Sequence, residues 1–183
     1  TSVSLSSDGN TVAIGAPYND GNGDNAGHVR VYKNVNNSWT QVGSDIDGEA
    51  VGDYFGWSVS LSDDGEILAA GAIFNSSSNH GHVRAYKNVN GTWTQIGSDI
   101  DGEAGSDYFG FSVSLSGNGK ILAAGAIYDD GTATDAGHVR VYENINGSWT
   151  QLGSDIDGKN TDDRSGYSVS LSNNGKTLLI GAP

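Results

Sequence analysis

Short stretches in which apolar and polar residues alternate recur along this chain, separated by turn-forming dipeptides. In the stretch SVSLS, Val59 and Leu61 alternate with serines, and the small apolar run ILAAGA follows. The stretch HVRAY alternates again, and TWTQIG comes after it. Alternation with a period of two and β-branched residues are typical of β-strands. The pattern therefore predicts four strands in each unit, which we call positions A, B, C and D in chain order.

The unit recurs about every 55 residues, so the chain is a tandem array. The A–B pair occurs four times and the C–D pair three times. Repeated four-stranded meanders are typical of β-propeller blades, which bury their faces against one another. We predict an all-β fold, a β-propeller of four-stranded antiparallel blades, of which about three and a half are present. The expected blades are residues 1–56, 57–110 and 111–166, with a half blade at 167–183. A β-solenoid is the alternative, although its repeats are usually shorter.

Turn-forming dipeptides join the predicted strands. Asp8-Gly9 and Asp64-Gly65 stand between A and B, whereas Asn90-Gly91 and Asn146-Gly147 stand between C and D. Such pairs tolerate the positive φ of type I′ hairpins, and we predict that turn at both places. The small residues of A and B fit a crowded position near the propeller axis, and the Tyr and Trp residues of C and D fit the wider rim.

Composition narrows the possible functions. The 183 residues include 28 glycines, and the formal net charge is −13. Such a chain repels phosphate backbones, so we expect no nucleic-acid binding. The absence of cysteine excludes disulfides, thiolate metal sites and cysteine nucleophiles. No apolar run is long enough to span a bilayer, so we expect no membrane insertion in this segment. The chain begins at Thr1 within a strand pattern, and we expect it to be part of a longer protein.

Two short motifs lie in register with the strands. Phe-Gly precedes strand A at Phe55-Gly56 and Phe109-Gly110, and Gly-Ala-Pro ends strand B at 15–17 and 181–183. The chain resembles the FG-GAP repeats of propellers in integrin α subunits and many secreted proteins. It departs from that pattern at three positions, Ser165, Ile73 and Ile127. The resemblance implies an extracellular or cell-surface module. An open blade edge also predicts self-association.

The loop between D and A is the most acidic segment. The calcium loop that is common between A and B in integrin-type repeats is only a tight turn here. In the D–A loops, carboxylates stand at loop positions 1, 3, 5 and 9, a spacing that suits the oxygen ligands of calcium. The predicted ligands are Asp45, Asp47, Glu49 and Asp53, and in the second copy Asp99, Asp101, Glu103 and Asp107. Lys159 replaces the glutamate in the third copy. The alternative is a solvated loop whose aspartates cap turns.

Glycosylation acceptor motifs recur at the C–D turn. They fall at Asn36, Asn90 and Asn146, and Asn75 provides a fourth in the B–C loop. Exposed hairpin tips accommodate glycans, so we predict a glycoprotein. The alternative is that Asn-Gly is simply a favourable hairpin turn, copied by duplication.

The remaining candidates are weaker. His28, His82 and His138 occupy one repeat position, and we expect an architectural role such as pairing with a carboxylate. The recurring tryptophans, Trp39, Trp93 and Trp149, are expected to pack. Aspartates of the irregular B–C loop, among them Asp20, Asp24, Asp129, Asp130 and Asp135, are candidates for a cation or a sugar, or are simply solvated.

Known catalytic motifs are missing from the sequence, and near-identical blades offer little asymmetry for an active site. We therefore expect a non-enzymatic module that binds protein or glycan, mediates adhesion or builds an assembly. The alternatives are an accessory domain of a secreted carbohydrate-active enzyme, or a lectin-like binder.

Overall fold

Strands are the regular elements of this chain. The computed structural model describes residues 2–75 and 79–183, and each element in these ranges is a β-strand. Within this described part, no helix has the length and apolar character needed to cross a membrane.

Three full blades and a final hairpin follow one another. The first blade contains β1 Ser2–Leu5, β2 Thr11–Ala16, β3 His28–Val35, β4 Ser38–Gln41 and β5 Ile46–Asp47. The second contains β6 Ser58–Leu61, β7 Ile67–Ala72, β8 His82–Val89, β9 Thr92–Gln95 and β10 Ile100–Asp101. The third contains β11 Phe109–Leu115, β12 Ile121–Ala126, β13 His138–Ile145, β14 Ser148–Gln151 and β15 Ile156–Asp157. The hairpin is β16 Ser168–Leu171 with β17 Leu178–Gly181.

Each full blade is an antiparallel meander in the order A–B–C–D. The fourth position is divided into two pieces. In the first blade, β4 pairs with the outer half of β3, where Tyr32 faces Gln41, and β5 pairs with its beginning, where His28 faces Asp47. The predicted all-β blade architecture is confirmed, with the addition that the D strand is interrupted.

Strand A is the innermost strand of each blade. The amide of Leu61 donates to Ser4 Oγ of the preceding blade at 2.9 Å, and Leu115 donates to Ser60 Oγ at the same distance. Backbone bonds also join successive A–B turns, since Asp63 N–H donates to the Gly117 carbonyl at 2.8 Å. The serine face of strand A thus ties neighbouring blades together.

The apolar core lies between blades rather than within them. One cluster combines residues of the first blade, including Ala13, Val29 and Ile46, with residues of the second, including Leu61 and Leu68. A second cluster repeats this arrangement between the second and third blades. Burial of these side chains, at about 25 cal/mol per Å² of apolar surface, is the main force that holds one blade to the next.

Trp93 and Trp149 pack at these junctions, as expected, and also bond across them, whereas Trp39 is 50% exposed. Trp93 Nε1 donates to the Val42 carbonyl of the preceding blade at 3.0 Å. Trp149 Nε1 donates to the Ile96 carbonyl in the same way at 3.1 Å.

The turn prediction is confirmed at one place and wrong at the other. In the C–D turns, both central residues have positive φ, as Asn90 (54°) and Gly91 (84°) illustrate, which is the type I′ geometry. In the A–B turns only the glycine has positive φ. There the Ser6 hydroxyl donates to Asp8 Oδ1 at 2.6 Å and accepts from Thr11 N–H, so side chains impose a different turn.

Candidate functional site

Where two blades meet, the B–C loop of the first blade and the D–A loop that follows it lie side by side and form one layer. The B–C loop of the first blade lies against the D–A loop that leads into the second. Tyr54 N–H donates to the Asn25 carbonyl at 3.1 Å, and Gly52 N–H donates to the Asp24 carbonyl at 2.9 Å. Arg164 N–H and the Asp135 carbonyl repeat the first bond in the third blade, at 3.1 Å. This paired-loop layer holds most of the predicted site residues.

A continuous row of aromatic rings runs along this layer. We call it the aromatic row; its members are Tyr18, Tyr54, Phe74, Tyr108 and Tyr128. Consecutive ring centroids lie 5.5, 5.4, 4.9 and 5.0 Å apart with edge-to-face geometry. The Arg164 guanidinium continues the row, 5.3 Å from the Tyr128 ring centroid.

Residues of the two loops alternate along the row. Tyr54, Tyr108 and Arg164 occupy one repeat position, and their φ angles are 57°, 59° and 49°. A non-glycine residue in this region costs on the order of 1–3 kcal/mol, and the backbone bonds of the paired loops hold it there. Strand periodicity does not predict the row; its signal in the sequence is the aromatic residue after each of the first three B strands.

The first carboxylate of each acidic D–A loop pairs with an arginine of its own blade. Arg30 Nε and Nη2 donate to the two oxygens of Asp45 at 2.9 and 2.7 Å, and Gln41 adds a third bond at 2.7 Å. The Arg30 bond is the main reason that the pKa of Asp45 falls to about 2. Asp155 accepts from Arg140 Nε at 3.1 Å in the third blade.

The fifth position of the loop reaches the arginine of the following blade. Glu49 lies 3.5 Å from Arg84 Nη1, and Glu103 lies 2.9 Å from Arg140 Nη2. Both arginine side chains are almost fully buried. Their guanidinium groups also lie over Phe55 and Phe109, 4.6 and 5.4 Å from the ring centroids. These glutamates therefore join blades, a role that the sequence analysis missed.

The ninth position caps its own loop. Asp53 Oδ2 accepts from Ala50 N–H at 2.9 Å, and Asp107 Oδ2 accepts from Ala104 N–H at 3.0 Å. Both residues are buried, and burial raises the pKa of Asp107. Asp47 and Asp101 lie exposed at the ends of β5 and β10. The eight predicted ligands thus face different partners, and calcium binding by these loops stays a prediction.

The histidines lie buried at the beginning of each C strand. His28 Nδ1 is 3.7 Å from Asp45 Oδ2, and His138 Nδ1 is 3.1 Å from Asp129 Oδ1. His82 Nε2 accepts from Arg84 Nε at 3.2 Å. Burial is the main reason that the pKa of His82 falls to about 4, and the Arg84 charge contributes to the decrease. Pairing with a carboxylate was expected, and two of the three histidines show it.

The glycines of the two short motifs meet across each junction. A methyl group on Gly15 would overlap the Gly56 carbonyl oxygen, and one on Gly71 would overlap that of Gly110. The Phe55 and Phe109 side chains beside these glycines are fully buried. Phe-Gly and Gly-Ala-Pro are therefore two halves of one interblade contact, which explains why they recur in register.

The FG-GAP repeat model matches residues 44–86 and 98–142. These two segments are FG-GAP repeats. Each match begins in the acidic loop, contains Phe-Gly and extends into strand C of the following blade, so it covers the junction rather than one sheet.

The fold of this chain is also similar to the folds of solved structures. A candidate 6-phosphogluconolactonase from Bacteroides fragilis NCTC 9343 superposes with a TM-score of 0.60 and 16% identity, over 97% of this chain and 40% of that one. A similarly named protein from Bacteroides uniformis ATCC 8492 gives a TM-score of 0.57 and 16% identity, over 86% and 40%. This chain thus spans two fifths of each matched structure. Among curated proteins, none matches it significantly.

The predicted glycosylation acceptors of the FG-GAP chain occupy two environments. Asn36, Asn90 and Asn146 are exposed at C–D hairpin tips. Asn75 is half-buried, and the Ser77 that completes its motif lies outside the described residues. Glycosylation at these positions stays a prediction.

Proposed function

We propose that this FG-GAP segment is a non-catalytic binding module of an extracellular or cell-surface protein, and that the aromatic row is its contact surface. FG-GAP repeats typically occur in extracellular proteins, which supports that location. The observation that carries the proposal is the unbroken row of five rings across three blades.

The chemistry of the row favours a glycan as the ligand. Aromatic rings supply rigid apolar area, and tyrosine adds a hydroxyl that bonds to polar groups. Sugar rings present both C–H faces and hydroxyls, so they match such a surface. Acidic side chains beside the row, such as Asp20, Asp24 and Asp130, are exposed and add acceptors for hydroxyl groups. The net charge of −13 favours neutral or basic ligands over acidic ones.

The strained backbone of the row also supports a binding role. Three copies of one repeat position keep positive φ, although a glycine there would remove the strain. Strain of this kind clusters at ligand-binding sites. In this conformation the Tyr54 and Tyr108 rings contact their neighbours in the row.

A glycan array tests the proposal, with the Tyr18→Ala and Tyr108→Ala variants measured against each hit. We expect each variant to weaken binding about tenfold, which corresponds to about 1.4 kcal/mol. Tyr167→Ala is the matched control, because Tyr167 is an exposed aromatic residue outside the row. Unchanged binding in both row variants would overturn the proposed surface, and an array without hits would direct the search to protein ligands.

A second candidate, an accessory domain that holds a carbohydrate-active enzyme on its substrate, would use the same row. The matched structures carry the name of an enzyme, but an identity of 16% supports the fold alone. Binding to an insoluble polysaccharide rather than to short glycans would favour the accessory role.

A further inference from the structure

We propose that the third blade binds one divalent transition-metal ion, with Zn²⁺ preferred, through Asp129, His138 and Asp157. The candidate ligand atoms of these residues all lie within 4.8 Å of one another. His138 Nδ1 and Asp129 Oδ1 are 3.1 Å apart. Ligand atoms around a tetrahedral zinc ion, each about 2.0–2.2 Å from the metal, are separated by about 3.4 Å. The His138–Asp129 separation therefore suits two ligands of one ion, and Asp157 lies near enough to be the third.

The buried ring nitrogens of His138 give independent evidence that a ligand binds here. Its exposure is 1%, and neither ring nitrogen makes a hydrogen bond of acceptable geometry, although Nδ1 lies 3.1 Å from Asp129 Oδ1. Burying ring nitrogens that make no hydrogen bond costs free energy, and buried polar groups are almost always satisfied. A bound metal would accept the nitrogen lone pair and satisfy the side chain.

Two paired strands and an adjoining turn hold the three residues. Asp157 in β15 stands directly opposite His138 in β13. Asp129 follows β12 at the beginning of the B–C loop, where its Oδ1 accepts from Gly131 N–H at 3.0 Å. Asp129 exposes 13% of its side chain, whereas Asp157 is exposed and provides a path from solvent.

The donor set favours zinc over calcium. An imidazole nitrogen with two carboxylates suits Zn²⁺ and related transition metals, whereas Ca²⁺ prefers six to eight oxygens.

The other two blades lack this combination among their described residues. Asn19 and Asn75 stand at the repeat position of Asp129. In the first blade, Arg30 already occupies both oxygens of Asp45, the carboxylate beside His28. In the second, His82 Nε2 accepts from Arg84. We therefore expect one ion per chain.

Isothermal titration of the tag-free, chelator-treated chain with ZnCl₂ tests the proposal. We expect one zinc ion per wild-type chain and a loss of affinity of at least about 100-fold in Asp129→Asn, because even indirect partners of metal ligands are worth about 10–100-fold. The variant should fold, since Asn19 accepts from Gly21 N–H at 2.8 Å in the same turn of the first blade.

Asp130→Asn is the matched control. It removes the same charge one residue away and retains an acceptor for Asp135 N–H, which Asp130 Oδ1 now binds at 2.9 Å. We expect its zinc affinity to stay within about twofold of wild type, and Co²⁺ substitution to give the visible absorption of a four-coordinate complex in wild type but not in Asp129→Asn. Equal zinc affinity of the wild type and Asp129→Asn would overturn the proposal, as would the absence of saturable binding or a preference for Ca²⁺.

Discussion

The junction between the first two blades and the open outer face of the first blade are built from the same residues in different surroundings. Val59 and Leu61 of β6 expose 8% and 7% of their surface, because the first blade covers them. Their counterparts in β1, Val3 and Leu5, expose 68% and 60%. The sequence of strand A is identical in the two places, so the neighbouring blade alone determines burial.

The other end of the chain shows the same contrast on the opposite face. Ile46 and Ile100 are 7% exposed, whereas Ile156 is 43% exposed, because no C and D strands cover it among the described residues. Leu179 is 69% exposed, and the buried alanines Ala13, Ala69 and Ala123 hold its position in the full blades. In such arrays, stability is approximately a sum of terms for each repeat and for each junction. Matched substitutions at a covered and an open position therefore measure directly how much a junction contributes to stability.

The largest effect is expected at the buried arginine of the junction. Arg84→Ala removes a guanidinium that is 5% exposed and lies between Glu49, Asp99 and the Phe55 ring. We expect a loss of about 3–5 kcal/mol in the free energy of unfolding, measured by urea denaturation. The cost comes from the unpaired carboxylates and from the lost packing of the stem.

Arg30→Ala is the matched control for this substitution. The Arg30 side chain is 43% exposed, has no blade before it among the described residues, and pairs only within its own blade. We expect a much smaller loss than in Arg84→Ala, because exposed ion pairs contribute little to stability. Equal losses in the two variants would contradict the assignment of Arg84 to the junction.

A smaller loss is expected when a covered leucine is shortened. Leu61→Ala leaves a cavity between the first two blades and should cost about 2–4 kcal/mol, while Leu5→Ala should cost less than about 1 kcal/mol. Chemical denaturation of both variants in parallel measures the difference. If Leu5→Ala were as costly as Leu61→Ala, another copy or another segment would have to cover the open face in solution, and sedimentation analysis would then show self-association.

These contrasts also show how far the sequence predicts the structure. The repeat, the strand positions and the Asn-Gly turns follow from local patterns, and the structure confirms them. The A–B turn did not follow, because the Ser6 hydroxyl overrides the preference of Asp8-Gly9. The partner of Glu49, Arg84, lies in the following blade and far from the loop in sequence, so loop spacing alone favoured a metal. The aromatic row likewise joins residues from separate loops, and only the packing of blades brings them together.

Acidification should weaken the junction through His82. The pKa of His82 is about 4 in the folded chain, and its ordinary value is 6.5. Between these values the unfolded state binds a proton that the folded state does not, so stability is complete above pH 6.5 and falls as the pH decreases towards 4. At about 1.4 kcal/mol per pH unit, the loss from pH 6.5 to 5 is about 2 kcal/mol.

His82→Gln should flatten this dependence, and urea denaturation at several pH values measures the slope. His28→Gln is the matched control: the pKa of His28 is also lowered, mainly by burial, but the preceding face of its blade is open. We expect a smaller change of slope in that variant. A wild-type slope that persists in His82→Gln would exclude this histidine as the source.

The smallest expected effect isolates one hydrogen bond between blades. Trp93→Phe removes the Nε1–H that donates to the Val42 carbonyl while keeping an aromatic ring, and it should cost about 1 kcal/mol. Trp39 occupies the same position in the first blade, is 50% exposed and makes no such bond to a described residue, so Trp39→Phe should change stability by less than about 0.5 kcal/mol. The difference between the two losses in the free energy of unfolding measures the contribution of the hydrogen bond between blades. A Trp39→Phe loss equal to that of Trp93→Phe would mean that the indole stabilises its own sheet, and that the junction depends on apolar burial and the arginine pairs alone.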